Sequence, residues 1–163
     1  MTTAEPSGEA AGSGGSPGPV IPLHELLGLS FEPPDVGAGW AEVRMPVRPQ
    51  AFGFTANLHG GAIATLVDVA CALCAARNSD FDLERQSMVT TDMHVRYHGR
   101  PRTDTVVARA EIVRVGSQLI VVACRVTDDG GHLIATADFS AMIVPLRRPL
   151  VEGHEATPGA PEL

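Results

Sequence analysis

The chain has no lysine, few aromatic residues and few cysteines, and each of these absences excludes a class of protein. All 12 basic residues are arginine, and 19 Asp and Glu give a net charge of −7, which argues against a general nucleic-acid binder. Aromatic residues make up 4% of the chain, too few for the stacking platforms of single-strand binders. Three scattered cysteines do not form a disulfide framework, so we expect a reducing compartment, the cytoplasm.

Two further absences concern membranes and export. No uninterrupted run reaches the roughly 18 apolar residues of a membrane span. The first residues do not show the charged-then-apolar order of a signal peptide. The sequence therefore predicts a soluble, intracellular protein that binds neither nucleic acid nor a membrane.

The composition divides the chain into one domain and two tails. A length of 163 residues suggests a single domain. Residues 1–20 contain 11 Gly, Ser or Pro and lack the apolar content that offsets ordering entropy, which predicts a disordered tail. Residues 146–163 are similar and predict a flexible tail. The folded domain is expected over residues 21–145.

The domain is predicted to contain one long helix and several strands. Residues 60–77 are rich in Ala and Leu, which predicts a helix that is buried on most of its sides. The other predicted elements are a short helix over 22–28 and strands over 40–47, 88–98, 105–114, 118–127 and 132–144. This order predicts an α+β fold with a curved antiparallel sheet and one central helix.

Asp68 is the one charge in the interior of the predicted long helix. Burying a carboxylate is costly unless the group is paired or performs chemistry, so Asp68 is a candidate catalytic residue. The alternative is that Asp68 lies on an exposed stripe of the helix. In the strand over 88–98, alternation places Thr90 on a polar face with Asp92 and His94.

The stretch Asn57-Leu58-His59-Gly60-Gly61 stands immediately before the same helix. Two glycines allow another group to approach the backbone, and a helix start offers free N–H groups and a positive dipole end. Such a site can hold a phosphate or polarise a carbonyl. An ordinary turn with glycine at the helix cap is the alternative.

The stretch Leu58-His-Gly-Gly-Ala-Ile-Ala-Thr-Leu-Val-Asp68, with the Asp eight positions after the first Gly, resembles the PaaI-type acyl-CoA thioesterases of the hotdog superfamily. The likeness extends over about residues 40–145 and includes the Arg-Val-Gly-Ser sequence that ends at Ser117. It implies a hotdog fold, in which a curved antiparallel sheet wraps around the long helix. It also implies a dimer with a continuous sheet, often paired into a tetramer, with active sites shared between subunits.

The resemblance also implies roles for individual residues. The backbone N–H of Gly60 is expected to polarise the thioester carbonyl, with His59 supporting the pocket. Asp68 of the other subunit is expected to act as nucleophile or as general base on a water, and Thr90 to position that water or carboxylate. Gly61 and Asn57 complete the set of residues expected around the substrate.

Helix geometry supports a shared site independently. Eight residues separate Gly60 from Asp68, which corresponds to roughly 12 Å of helical rise. The two groups are therefore too far apart to touch one carbonyl within a single chain, and a second, antiparallel copy of the helix removes the difficulty.

One position departs from the family pattern. Many members of the family have Asn or Gln six residues before the His, where it helps to hold the carbonyl. Here that position is Gly53, and the nearby candidates Gln50 and Asn57 do not have this spacing.

Arginines cluster between residues 96 and 114 of an otherwise acidic chain. The functional interpretation is a site for the phosphates of coenzyme A, for which arginine is well suited. A solvated strand edge is the alternative. By resemblance, the candidate coenzyme-binding residues are Tyr97, Arg100, Arg102, Arg114, Gly116 and Ser117.

Other potential sites are weaker. Cys71 and Cys74 have CxxC spacing but lie in an apolar helix with no second pair, so free buried cysteines are expected. His94, His98 and Glu111 have no recognised metal-ligand spacing, and no metal site is predicted.

The sequence thus predicts a cytoplasmic enzyme that hydrolyses a small or medium acyl-CoA to the free acid and CoA, without a metal or prosthetic group. One alternative is a non-catalytic hotdog protein that binds acyl-CoA as a sensor or assembly partner; the Gly53 departure keeps it open, and the intact Asp68 and Thr90 argue against it. A hotdog hydratase is a further alternative, but its motif is not found here.

Overall fold

The computed structural model describes residues 21–32 and 36–146. The predicted tails 1–20 and, beyond its first residue, 146–163 lie outside the described residues. The described part contains, in chain order, α1 Pro22–Leu27, β1 Ser30–Glu32, β2 Trp40–Pro46, a 3-10 turn Pro49–Ala51, α2 Gly60–Arg77, β3 Gln86–Tyr97, β4 Thr105–Val115, β5 Leu119–Asp128 and β6 Leu133–Pro145.

The strands form one antiparallel sheet in the order β1-β2-β4-β5-β6-β3. The predicted α+β fold is confirmed, and α2 has the predicted bounds. The bounds of the five predicted strands agree with the structure to within two residues. β1 and the 3-10 turn were not predicted, because three residues are too few to show a periodicity.

α2 packs one face against the sheet. Eight of its residues are buried there, and they are Ala62, Ile63, Leu66, Val67, Ala70, Cys71, Cys74 and Ala75. Residues on the opposite face, such as Val69 and Ala72, are only half-buried, with the short α1 alongside. The prediction that the helix is buried on most of its sides is therefore wrong for a single chain, whose sheet is large enough to cover one face only.

By length and mean hydropathy alone, α2 is long and apolar enough to cross a membrane. In this fold it serves instead as the core helix of the sheet. Its contacts with β2, β4 and β5 account for the apolar residues on the face that the sheet covers.

A β-bulge interrupts the alternation of β3. Thr90 pairs with Ala141, whereas Asp92 pairs with Ser140, so Thr91 is the extra residue. Ala141 is buried on the helix side of the sheet, and Thr90, its direct partner, lies on that side too. Because of the bulge, the residues before it point to the side of the sheet opposite to the one that regular alternation predicts.

The polar face predicted for β3 is corrected by this bulge. Beyond it, Met93 pairs with the buried Phe139 and faces the helix. Asp92 and His94 face the other side of the sheet, so the prediction that Thr90 shares their face is wrong. A bulge changes facing without a marked change in sequence, because it only inserts one residue into an otherwise regular strand.

Arg48 fixes the end of α1. Its Nη2 atom donates to the carbonyl oxygens of Glu25 and Leu26, at 3.2 and 3.0 Å. These are among the carbonyls that a helix leaves without partners at its C-terminus. Gly28 then adopts the left-handed conformation, with φ of 65°, and a Cβ at this position would collide with the Arg48 guanidinium. This contact holds α1 beside the rest of the domain.

The three cysteines are free and buried, as predicted. A hydrogen bond with the thiol of Cys124, together with burial, raises the pKa of Cys71 far above its usual range. Burial also raises the pKa of Cys74 to about 11. Because the thiolate is the reactive form, the CxxC pair is a pair of unreactive core residues.

Candidate active site

The start of α2 presents one unused backbone donor. His59 is the N-cap, and its Nδ1 atom accepts a hydrogen bond from the Gly61 N–H at 2.8 Å. The Tyr97 hydroxyl donates to the Gly60 carbonyl at 3.0 Å. Among the hydrogen bonds of the described residues, none uses the Gly60 N–H. The Gly60 N–H is therefore free to bind a ligand, with the positive end of the helix dipole behind it.

A compact turn precedes this helix start. The Gly53 N–H donates to the Asn57 carbonyl at 2.7 Å, and Ala56 is left-handed, with φ of 52°. The Asn57 side-chain amide donates to the Thr55 carbonyl at 2.8 Å. One N–H of the Asn57 amide therefore serves the turn.

The same turn returns Gln50 to the helix start. Phe52 and Leu58 form an isolated bridge at its base. The His59 N–H donates to the Ala51 carbonyl at 2.8 Å. Gln50 consequently lines a cavity of about 230 Å³ together with His59 and Gly61. The residues between Phe52 and Leu58 form an outward loop. Gln50 and His59 are therefore close in space although they are nine residues apart in the sequence.

Asp68 lies on the half-covered face of α2, about two turns beyond Gly60. Thr90 donates from Oγ1 to Asp68 Oδ1 at 2.9 Å. Within the described part of the chain, Asp68 takes part in no ion pair. The carboxylate is half-buried rather than buried, with one oxygen held by Thr90 and one without a protein partner.

The structure thus forms two separate groups of candidate residues in one chain. His59, Gly60 and Tyr97 meet at the start of α2, at the end of β3. Asp68 and Thr90 meet farther along the helix, beside the first half of β3. The two groups do not touch each other.

The candidate coenzyme-binding arginines also divide between the two ends of the sheet. Arg100 and Arg102 lie in the loop after β3, beside the turn between β5 and β6. Arg114 lies at the end of β4, with Gly116 and Ser117, around a cavity of about 290 Å³. A strand of ten residues spans roughly 33 Å, so Arg114 does not meet Arg100 and Arg102 within a single chain.

Asp128 fixes the loop that carries Arg102. Its carboxylate accepts from the backbone N–H groups of Arg102 and His132, both at 2.9 Å, and of Gly130 at 3.1 Å. These bonds, led by the one from Arg102, lower the pKa of Asp128. The loop is therefore anchored through its backbone, and the Arg102 side chain stays exposed.

The described residues contain no group of three His, Cys, Asp or Glu side chains arranged to hold a metal ion. Of the residues considered above as metal ligands, His98 shares a hydrogen bond of 2.8 Å with Thr136. Glu111 accepts from Arg109 at 2.9 Å. These side chains have structural partners instead of a common centre.

Comparisons with known proteins agree with this architecture. A family model described as the thioesterase superfamily matches residues 55–135. A mutant of the hypothetical protein SAV0944 from Staphylococcus aureus is 26% identical, with a TM-score of 0.70, over 76% of this chain and 99% of that one. The BH2602 protein of Bacillus halodurans, solved with CoA, is 29% identical, with a TM-score of 0.65, over 77% of each chain.

The PaaI protein of Escherichia coli shares the fold, with a TM-score of 0.66 and 19% identity, over 76% of this chain and 85% of that one. The search among curated proteins gives no significant match.

Proposed function

This chain belongs to the thioesterase superfamily and has the hotdog fold, and on that basis we propose that it hydrolyses the thioester of a small or medium acyl-CoA. The observation that carries the proposal is the pairing of an unused N–H at Gly60 with a carboxylate, Asp68, that Thr90 holds by one oxygen. Bound CoA in the BH2602 structure supports the choice of coenzyme.

The chemistry requires a donor for the developing oxyanion and a base or nucleophile. In the proposed reaction, the Gly60 N–H donates to the thioester oxygen, which gains negative charge in the transition state. Asp68 then either removes a proton from the attacking water or attacks the carbonyl itself, and water hydrolyses the resulting anhydride. On both routes the C–S bond breaks, and CoA leaves as the thiolate and takes up a proton.

Thr90 and Gln50 are the proposed positioning residues. The Thr90 hydroxyl occupies one carboxylate oxygen of Asp68 and so directs the other toward the substrate. Gln50 lines the same cavity as His59, whereas Asn57 does not line it and uses one amide N–H in the turn, which supports Gln50 as the second donor to the carbonyl. This arrangement compensates for Gly53 and favours an enzyme over a non-catalytic binder.

We further propose that each active site combines residues of two subunits. The Gly60 group and the Asp68 group lie about two helical turns apart, or roughly 12 Å by helical rise. A second, antiparallel copy of α2 would bring the Asp68 of the partner subunit to Gly60. The same arrangement would bring Arg114 of the partner subunit to the side of the dimer that carries Arg100 and Arg102. This accounts for the distance between Arg114 and the other two arginines in one chain.

The direct test is the release of free thiol from a panel of acyl-CoA thioesters by the purified full-length chain. We expect steady-state turnover with at least one small or medium acyl-CoA, without added metal or cofactor. A chain that binds acyl-CoA tightly but releases no thiol from any member of the panel would contradict the enzyme and support the sensor or assembly role.

The proposed coenzyme contacts predict a difference between full and truncated substrates. Arg100→Ala, Arg102→Ala and Arg114→Ala are each expected to raise KM for acyl-CoA about three- to tenfold, because exposed charged hydrogen bonds to phosphate are lost. KM for the matching acyl-pantetheine thioester, which lacks the nucleotide phosphates, should change less than twofold. The measurement is a comparison of kinetics with both substrates.

Arg125→Ala is the matched control for these arginines. Arg125 is exposed on the sheet face that is turned away from α2, and we expect KM to stay the same for both substrates. Equal increases in KM for acyl-CoA and acyl-pantetheine would remove the corresponding arginine from the coenzyme site.

A further inference from the structure

A cavity of about 360 Å³ opens beside Asp68, between the half-covered face of α2 and the segment formed by α1 and β1. It is separate from the smaller cavity that contains Gln50 and His59. It lies next to Asp68, the proposed base or nucleophile, and away from the arginines that are proposed to bind the coenzyme.

The lining of this cavity is apolar. Of the described residues around it, only Asp68 and His24 are polar. The residues from α2 and the following segment are Val69, Ala72, Leu73, Ala76, Phe81 and Met88. Two of the helix residues are alanines, whose small side chains leave the space open. No arginine and no hydroxyl or amide side chain lines it, so a second carboxylate on a ligand would lie near Asp68 among apolar side chains, with His24 at the outer wall as the one polar side chain able to donate to it.

Phe31 and His24 form the outer wall. Their rings lie 5.9 Å apart between centroids in a tilted contact. Phe31 is held by the pairing of β1 with β2, opposite Val43. α1, which carries His24, is held at its end by Arg48. The wall is therefore fixed by contacts that lie outside the cavity.

The geometry points to this cavity as the acyl-chain site and to an apolar medium-chain acyl group as its occupant. This assignment rests on the proposed function, because the thioester must lie at Asp68 for the chain to enter. At roughly 30 Å³ for each water-sized group, the cavity holds about twelve such groups. That volume suits a chain of about six to ten carbons, with some space left unfilled.

The first test compares straight-chain substrates from acetyl-CoA to tetradecanoyl-CoA. We expect kcat/KM to rise about two- to fourfold for each added methylene up to about eight carbons. Butyryl-CoA and succinyl-CoA form a matched pair that differ in a terminal carboxylate. We expect butyryl-CoA to be preferred at least about tenfold, because the cavity would place that carboxylate among apolar side chains and close to the like charge of Asp68.

Two variants change the volume of the cavity in opposite directions. Ala76→Leu fills part of it, and we expect kcat/KM for octanoyl-CoA to fall at least about tenfold while that for acetyl-CoA stays within twofold. Phe31→Ala removes part of the wall and should move the optimum to longer chains. Ala123→Leu, on the opposite face of the sheet and exposed, is the matched control and should leave the profile unchanged.

The possible outcomes separate this inference from the proposed function. A wild-type chain that hydrolyses acyl-CoA but prefers succinyl-CoA, or a profile that neither variant shifts, overturns the acyl-chain site and leaves the thioesterase proposal intact. A wild-type chain that is inactive toward every acyl-CoA of the series overturns both the acyl-chain site and the thioesterase proposal. An equal loss at all chain lengths in Ala76→Leu, together with no shift in Phe31→Ala, counts against the site.

Discussion

Asp68→Asn is expected to lower the turnover of acyl-CoA by at least about a hundredfold, the usual scale for a lost general base. Asparagine keeps the shape of the side chain, and the Thr90 hydroxyl that now donates to Oδ1 can donate to the amide oxygen in the same way. The charge has no ionic partner among the described residues, so its removal leaves no cation unpaired. The melting temperature should therefore stay the same or rise slightly.

The decisive measurement is the melting temperature and the single-turnover rate on the same variant. Asp92→Asn is the matched control, since it neutralises a carboxylate on β3 that faces away from α2. A strongly destabilised Asp68→Asn variant that still hydrolyses substrate at nearly the wild-type rate would mean that the carboxylate serves the fold. Acyl-CoA binding should change little, because the proposed contacts at Gly60 and the arginines remain.

The second large effect is expected from Gly60→Pro, which deletes one backbone donor. Gly60 is the first residue of α2, where proline is favourable because its missing N–H has no partner in the helix. The preceding residue, His59, has φ of −64° and ψ of 136°, a conformation that tolerates a following proline. We expect a folded protein whose turnover is reduced about 10²- to 10³-fold, the scale for one lost oxyanion donor.

Gly60→Ala is the control that keeps the N–H. A Cβ at this position would lie 3.5 Å from the Tyr97 ring, which is an ordinary contact. Its turnover should therefore remain much higher than that of Gly60→Pro. Gln50→Ala, which removes the second proposed donor, should reduce turnover in the same direction but less. Equal activity of the proline and alanine variants would contradict the role of the N–H.

Mixing the Gly60→Pro and Asp68→Asn chains tests whether the site is shared. In a mixed dimer one of the two sites would have an intact Gly60 and an intact Asp68, and the other would have neither. Random exchange of equal amounts should restore about a quarter of wild-type activity. If subunit exchange is shown by mass spectrometry and the mixture remains as inactive as its parents, the two residues act within one chain.

The sequence was sufficient to predict α2, because eighteen residues with alanine-rich helix propensity give a strong signal. The facing of β3 was not predictable, because the bulge at Thr91 inserts one residue without a glycine or proline to mark it. The placement of Thr90 against Asp68 depends on that bulge. A regular strand would have turned its hydroxyl away from the helix.

The position of Gln50 beside His59 was also not predictable from the sequence. Spacing along the chain gave Gly53 as the residue six positions before His59, and only the bridge between Phe52 and Leu58 shows that the intervening residues form a turn. The division of the arginines also follows from strand direction rather than from local sequence. Contacts of this kind depend on how all the strands of the sheet are arranged. A pattern over a few neighbouring residues does not contain that information.

β3 ends the sheet, and its twelve residues form an open edge in the isolated chain. An uncovered edge of this length is a template for pairing with any other extended chain, and exposed Val89 and Tyr97 add apolar surface to it. In the proposed dimer the partner subunit would cover this edge, and for a newly made molecule that is a bimolecular step whose rate depends on how many copies are present. Aggregation through the same edge also requires an encounter between chains, so the native pairing has to compete with aggregation at every concentration.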